Sequence, residues 1–153
     1  MEISDRRQLG HTNMKVHVFH LDVIDWDELN SNQEALEIYR KITHSADNIT
    51  IRDCWINGTR GLGPRNMFSY FKVAEVEIAT DDMMVAAEGA FEATNHTDHN
   101  WKENQQIKWS VVTDCRSTSV GDVMMVETPD LDEHPAGVEV IFVDTIGFQE
   151  VYQ

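Results

Sequence analysis

The sequence predicts an α+β fold: two helices packed on a mostly antiparallel, curved sheet that bends partly toward a barrel. Three observations lead there. Segments that alternate apolar and polar residues, rich in Val, Ile and aromatics, recur along the chain and dominate its last third. Only residues 30–45 and 80–96 show a helical period with capping residues ahead of it. No linker interrupts the 153 residues, a length suited to one core. Residues 1–13 are expected to form a flexible extension and 14–153 a single domain.

Taken in order, "KVHVFHLDVI" (15–24) reads as a strand with Phe19, Leu21 and Val23 on one face. "NSNQEALEIYRKITHS" (30–45) reads as a helix capped by Asn30 or Ser31, with Glu34 at the capping-box offset from Ser31. Its apolar stripe is Leu36, Ile38, Tyr39 and Ile42. "ITIRDCWI" (49–56) alternates and predicts a second strand, and the glycine-rich "NGTRGLGPRN" (57–66) a loop. "FKVAEVEIA" (71–79) predicts a strand with Ala74, Val76 and Ile78 inward and Glu75 and Glu77 outward. "TDDMMVAAEGAFEATNH" (80–96) predicts a helix. Thr80 would cap it, Asp81 and Asp82 would complement its positive end, and Met84, Ala87 and Phe91 would be buried. Strands are expected at 107–112, 121–127, 137–144 and 147–152, with "TPDLDEHPAG" (128–137) as a hairpin loop. Gly121 is expected to turn the chain sharply, Gly147 to mark a bulge or a close approach, and Val143, Ile146 and Phe148 to enter the core.

The net charge is −15, from 27 acids against 12 bases. Such a surface opposes direct binding to nucleic acid, where basic side chains must displace phosphate counterions, and to anionic membranes. It attracts a protein with a basic surface, or it serves solubility. Only two cysteines occur, Cys54 and Cys115, far apart, as suits a reducing compartment. "MEISDRRQLGHTN" lacks the apolar core of a signal peptide, and no stretch reaches the ~18 apolar residues of a membrane span. A cytoplasmic protein is expected.

"RSTSVGDVMMV" (116–126) followed by "VIFVDTIGFQEV" (140–151) resembles the YodL-like domain family of phages and mobile elements. In that family R-S-[LM]-S-V-G-D-V leads into a strand, and Y-V-D-S-[FI]-G-F closes the domain. The segment "TNHTDHNW" (94–101) is also similar to small phage proteins. The resemblance covers about residues 70–153, and the chain departs from it with Thr118 for Leu or Met and Thr145 for Ser. It implies an accessory protein of phage or prophage source and implies no reaction. The motifs themselves read as turns and strand starts.

Residues 52–72 carry Arg52, Arg60, Arg65 and Lys72 against one acid, a net +3 in a chain that is otherwise −18. Such a loop can cradle a phosphate or carboxylate, although no P-loop pattern is present. His96 and His99 form an H-x-x-H that on a helix could face a metal. Asn95 and Asn100 instead place them at a helix end, so no metal and no cofactor is expected. His17 and His20 share that spacing on a strand and point to opposite faces. No G-x-S-x-G elbow accompanies Ser117 or Ser119.

The expected function is therefore binding of a host protein with a basic surface, through acids such as Asp81, Asp82, Asp130, Asp132 and Glu133. Its sharpest form is a DNA-mimic inhibitor of a nucleic-acid-handling or defence protein. One alternative is an anionic-ligand or enzymatic module built on Arg52, Arg60, Arg65, His96 and His99. Another is a virion or assembly component that uses a sheet edge.

Overall fold

The computed structural model describes residues 13–23, 25–58, 68–95, 100–113, 115–128, 137–145 and 147–151. Among these residues six strands form one sheet in the order β3-β2-β1-β4-β5-β6, with every neighbouring pair antiparallel. They are β1 (Asn13–Val23), β2 (Phe68–Ala79), β3 (Ile107–Ser110), β4 (Val123–Thr128), β5 (Gly137–Val143) and β6 (Phe148–Glu150). The α+β class is as expected. The sheet does not close into a barrel, since β3 and β6 remain its edges. Between β1 and β2 come α1 (Trp26–Ser31), α2 (Gln33–Thr43) and α3 (Asn48–Gly58); α4 (Met83–Ala93) follows β2.

Both faces of the sheet are covered, and strand alternation sorts the side chains between them. Met14, Val16 and Val18 of β1, with Met124, Val126, Ile141 and Val143, lie under α4 and Trp101. Leu21 and Val23, with Val123 and Phe142, join Leu29, Ala35, Ile42 and Ile51 beneath α1–α3, and Phe19 packs against them. Strand β2 serves both layers through a bulge. Val18 pairs with Ala74 and Phe19 with Lys72, so Val73 is the extra residue. The even positions Phe68 and Tyr70 therefore face the three-helix layer, while Ala74 and Val76 face α4. Helix α4 can approach closely because its buried positions are Ala86, Ala87, Ala90 and Ala93.

Several expectations need correction. Residues 49–56 are helical, not a strand, because Ile51, Cys54 and Trp55 follow an i, i+3, i+4 spacing and are buried together. The Asp47 carboxylate starts this helix by accepting from the Thr50 N–H at 3.1 Å. The helix expected at 30–45 is two helices divided at Asn32, whose side chain caps α2 by accepting from Ala35 N–H at 3.1 Å. Among the described residues four α-helices thus stand where two were expected. Asp82, rather than Thr80, caps α4, accepting from Met84 and Val85 N–H at 2.9 and 3.2 Å. Met84 is exposed, and Phe148, on the edge strand, is only half-buried. Gly121 has φ +93, as its expected role in a sharp turn requires, and Trp101 is fully buried. Residues 1–12 and 129–136, most of the loop 57–66, and Ile146 lie outside the described residues.

Candidate functional site

The segment "RSTSVGD" (116–122) leads the chain from β3 into β4 and organises the polar part of the interior. Asp122 is fully buried, yet its carboxylate accepts four hydrogen bonds. Oδ1 takes the Leu21 N–H at 2.8 Å and Arg116 Nη2 at 2.9 Å; Oδ2 takes Arg116 Nη1 at 2.6 Å and Ser119 N–H at 2.8 Å. Arg116 also donates to the Leu21 and Ser117 carbonyls, each at 3.0 Å. Burial opposes the Arg116 charge, but the hydrogen bonds and charge of Asp122 outweigh it and hold the guanidinium above its ordinary pKa. The fork is engaged on structural acceptors and ties the turn to the end of β1.

Beside it runs a directional chain of hydroxyls. Thr94 Oγ1 donates to the Ala90 carbonyl at 2.8 Å, so it must accept from Thr118 Oγ1 at 2.7 Å. Thr118 in turn accepts from His20 Nε2 at 2.9 Å. His20 is thereby assigned as the neutral Nε2–H tautomer, and burial depresses its pKa to about 4 against the pull of Asp122. A hydroxyl, an imidazole and a carboxylate in proximity suggest a nucleophilic relay. The geometry does not support one. The same nitrogen, Nε2, faces both Thr118 and Asp122 Oδ2 (3.8 Å), and the Thr118 side chain is buried. Cys54 is equally inert: burial, with the charge of Asp53, pushes its thiol up to about 12.

On the outer side of the same turn, a cavity of about 460 Å³ opens between α4 and the β5–β6 connection. Phe91 and Phe148 meet edge-on at 5.8 Å on its apolar side, with Val120 and Val143. Glu88, Glu92 and Asp144 rim it, and no base lines it. The surrounding sequence shares this bias: residues 73–101 and 117–153 contain no lysine or arginine at all. These two stretches fold together, since α4 packs on β4 and β6.

The residues singled out from sequence are mostly not brought together among the described residues. Arg52 stands half-buried on α3, and Asp81 and Asp82 are exposed before α4, where Asp82 is spent on capping. Arg60, Arg65, His96, His99, Asp130, Asp132 and Glu133 lie outside the described residues. Helix α4 ends at Ala93, ahead of His96, with Asn95 donating to the Phe91 carbonyl. His17 and His20 do point to opposite faces: His17 contacts Glu127 on the three-helix side, and His20 contacts Thr118 on the α4 side. Among the described residues no three His, Cys, Asp or Glu side chains are grouped to hold a metal ion. Sequence reading missed the Arg116–Asp122 pair as an ion pair, although both residues stood in the quoted motif. It also missed the cavity, for which the absence of bases after residue 116 was the available signal. In comparisons with protein-family models, curated proteins and solved structures, nothing matches this chain.

Proposed function

We propose that this is a small binding protein that engages a partner with a basic surface through the side formed by α4 and strands β4–β6. The observation that carries the reading is the joint folding of the two base-free stretches around an apolar cavity rimmed by carboxylates. Acids spread evenly among bases would serve solubility alone; acids without bases on one side give a field of one sign that steers a cationic partner. The resemblance to YodL-like domains extends the proposal to a phage or mobile-element accessory protein acting on a host factor in the cytoplasm. In its sharpest form the carboxylates substitute for phosphates in the groove of a nucleic-acid-handling or defence protein. Among the described residues no helix is long and apolar enough to cross a membrane.

Immobilised protein should capture from host lysate at low salt a protein that duplex DNA then releases. If whatever is captured stays bound under excess duplex, or if nothing is captured, the nucleic-acid mimic is lost. Retention of a cationic partner that ignores DNA would leave only the broader reading.

A further inference from the structure

We infer that the cavity between α4 and the β5–β6 connection is a docking pocket for an arginine side chain of the basic partner. The inference rests on the proposed function and names the site within it. The stripe Met84, Glu88, Phe91 and Glu92 follows an i, i+4, i+7, i+8 spacing, so these residues share one face of α4. Glu88 and Glu92, one turn apart, repel each other, and no lysine or arginine exists in residues 73–101 to relieve them. Next to them the Phe91–Phe148 pair offers an apolar wall, and Met84 extends the apolar surface along the helix at 38% exposure. The occupant must match both halves: an aliphatic stem or flat cation against the rings, and a positive charge at the carboxylates.

Arginine fits this demand better than lysine. Its planar guanidinium stacks on aromatic faces, forks onto carboxylates, and loses hydration more readily than an ammonium. The volume of about 460 Å³ falls within the usual range of ligand sites, with room for one side chain and part of its neighbour. The Asp144 carboxylate is already held by Thr145 N–H and Gln149, so it contributes field, while Glu88 and Glu92 supply the acceptors.

The test uses the whole protein, labelled for amide NMR, titrated with n-propylguanidinium chloride at constant ionic strength. We expect saturable shifts confined to residues around Glu88–Glu92, Thr118–Val120 and Val143–Phe148, at millimolar affinity. The uncharged N-propylurea should bind at least fivefold more weakly. Glu88→Gln/Glu92→Gln should weaken propylguanidinium binding at least fivefold with an unchanged circular dichroism spectrum. A Glu34→Gln/Glu37→Gln control on α2 should leave it within twofold. Equal binding of the urea, shifts spread over every acidic surface, or indifference to the Glu88/Glu92 change would each overturn the pocket. Because the probe replaces the partner, the two readings fail separately. A salt-sensitive partner indifferent to Glu88 and Glu92 sinks the pocket alone, and a localised guanidinium site with no macromolecular partner sinks the proposed function alone.

Discussion

Thr118 shows how one side chain can fix the state of another across the sheet. Its hydroxyl accepts from His20 Nε2–H and donates to Thr94, and Asp122 Oδ2, at 3.8 Å from the same nitrogen, is too far to replace it, so Thr118→Val leaves a buried N–H without a hydrogen bond at nearly constant volume. We expect a loss of about 1–3 kcal/mol in chemical denaturation; a variant as stable as the parent would show the chain of hydroxyls to be decorative. His20 itself gives a pH signature. Its folded pKa of about 4 lies below the ordinary 6.5, so the unfolded chain takes up the proton first. Stability should be complete above about pH 6.5, decline as pH falls to about 4, and then lose no more from this group. The total is roughly 3 kcal/mol. His20→Gln should flatten that window, and an unaltered slope would assign the acid sensitivity elsewhere. Two glycines give a paired test of backbone freedom. Both have positive φ, but a Cβ on Gly121 would lie 2.6 Å from Ile42 Cγ2, whereas one on Gly147 would meet nothing within 4 Å. Gly147→Ala should therefore cost only the left-handed penalty of about 1–2 kcal/mol, and Gly121→Ala distinctly more. Equal shifts in melting temperature would contradict that ranking.

At the level of elements, the start of α3 depends on Asp47. The Thr50 side chain and backbone N–H both hydrogen-bond its carboxylate, and these bonds hold its pKa below the usual carboxylate range. Asp47→Ala should cost about 1 kcal/mol, with Asp47→Asn recovering most of it. The parent's advantage over both variants should shrink as acid protonates Asp47, because a carboxylate with a lowered pKa loses its contribution as pH falls. Loss of helical circular dichroism without that partial rescue would rule out capping as the cause. This same helix marks where sequence reading stopped. The strands were legible because each alternates with β-branched residues, and the two faces of β1, β4 and β5 separate cleanly by parity. In α3 the helical period of Ile51, Cys54 and Trp55 is overlaid by Ile49, Thr50 and Ile51, which imitate a strand. The turn before it also carries no punctuation: Ala46 takes φ 49 where glycine would have announced a break. The site was hidden for a different reason. Arg116 and Asp122 are close in sequence, but the groups that make them an anchor, the Leu21 N–H and carbonyl, come from β1 about a hundred residues earlier. Hydrophobic pattern reports local period, whereas such an anchor exists only once β1 and β4 have paired.

On the scale of the whole molecule the informative quantity is where the charge is missing. All 12 lysines and arginines lie before residue 73 or between 102 and 116, so α4 and β4–β6 contribute carboxylates and no lysine or arginine of their own. A field summed over such a side reaches about 10 Å at 0.1 M salt and about 3 Å at 1 M. Association with a basic partner should accordingly slow as salt rises, mainly through the rate of encounter, while dissociation changes less. Neutralising one exposed acid, such as Glu139→Gln, should alter affinity by less than about threefold, as for a single screened surface charge. Changing Glu88, Glu92, Glu139 and Glu150 together should weaken it by about the product of the single effects, tens of times or more if each is near threefold, because contributions to a summed potential add in free energy. The same four-fold replacement should leave the melting temperature unchanged or slightly raised, because it relieves like-charge repulsion and touches no buried contact. Kinetic binding curves at 0.05, 0.15 and 0.5 M salt, recorded for the singles and the combined variant, decide the matter. An association rate insensitive to both salt and the combined change would remove charge from the mechanism and leave the apolar surface of Met84, Val85 and Phe91 to account for binding.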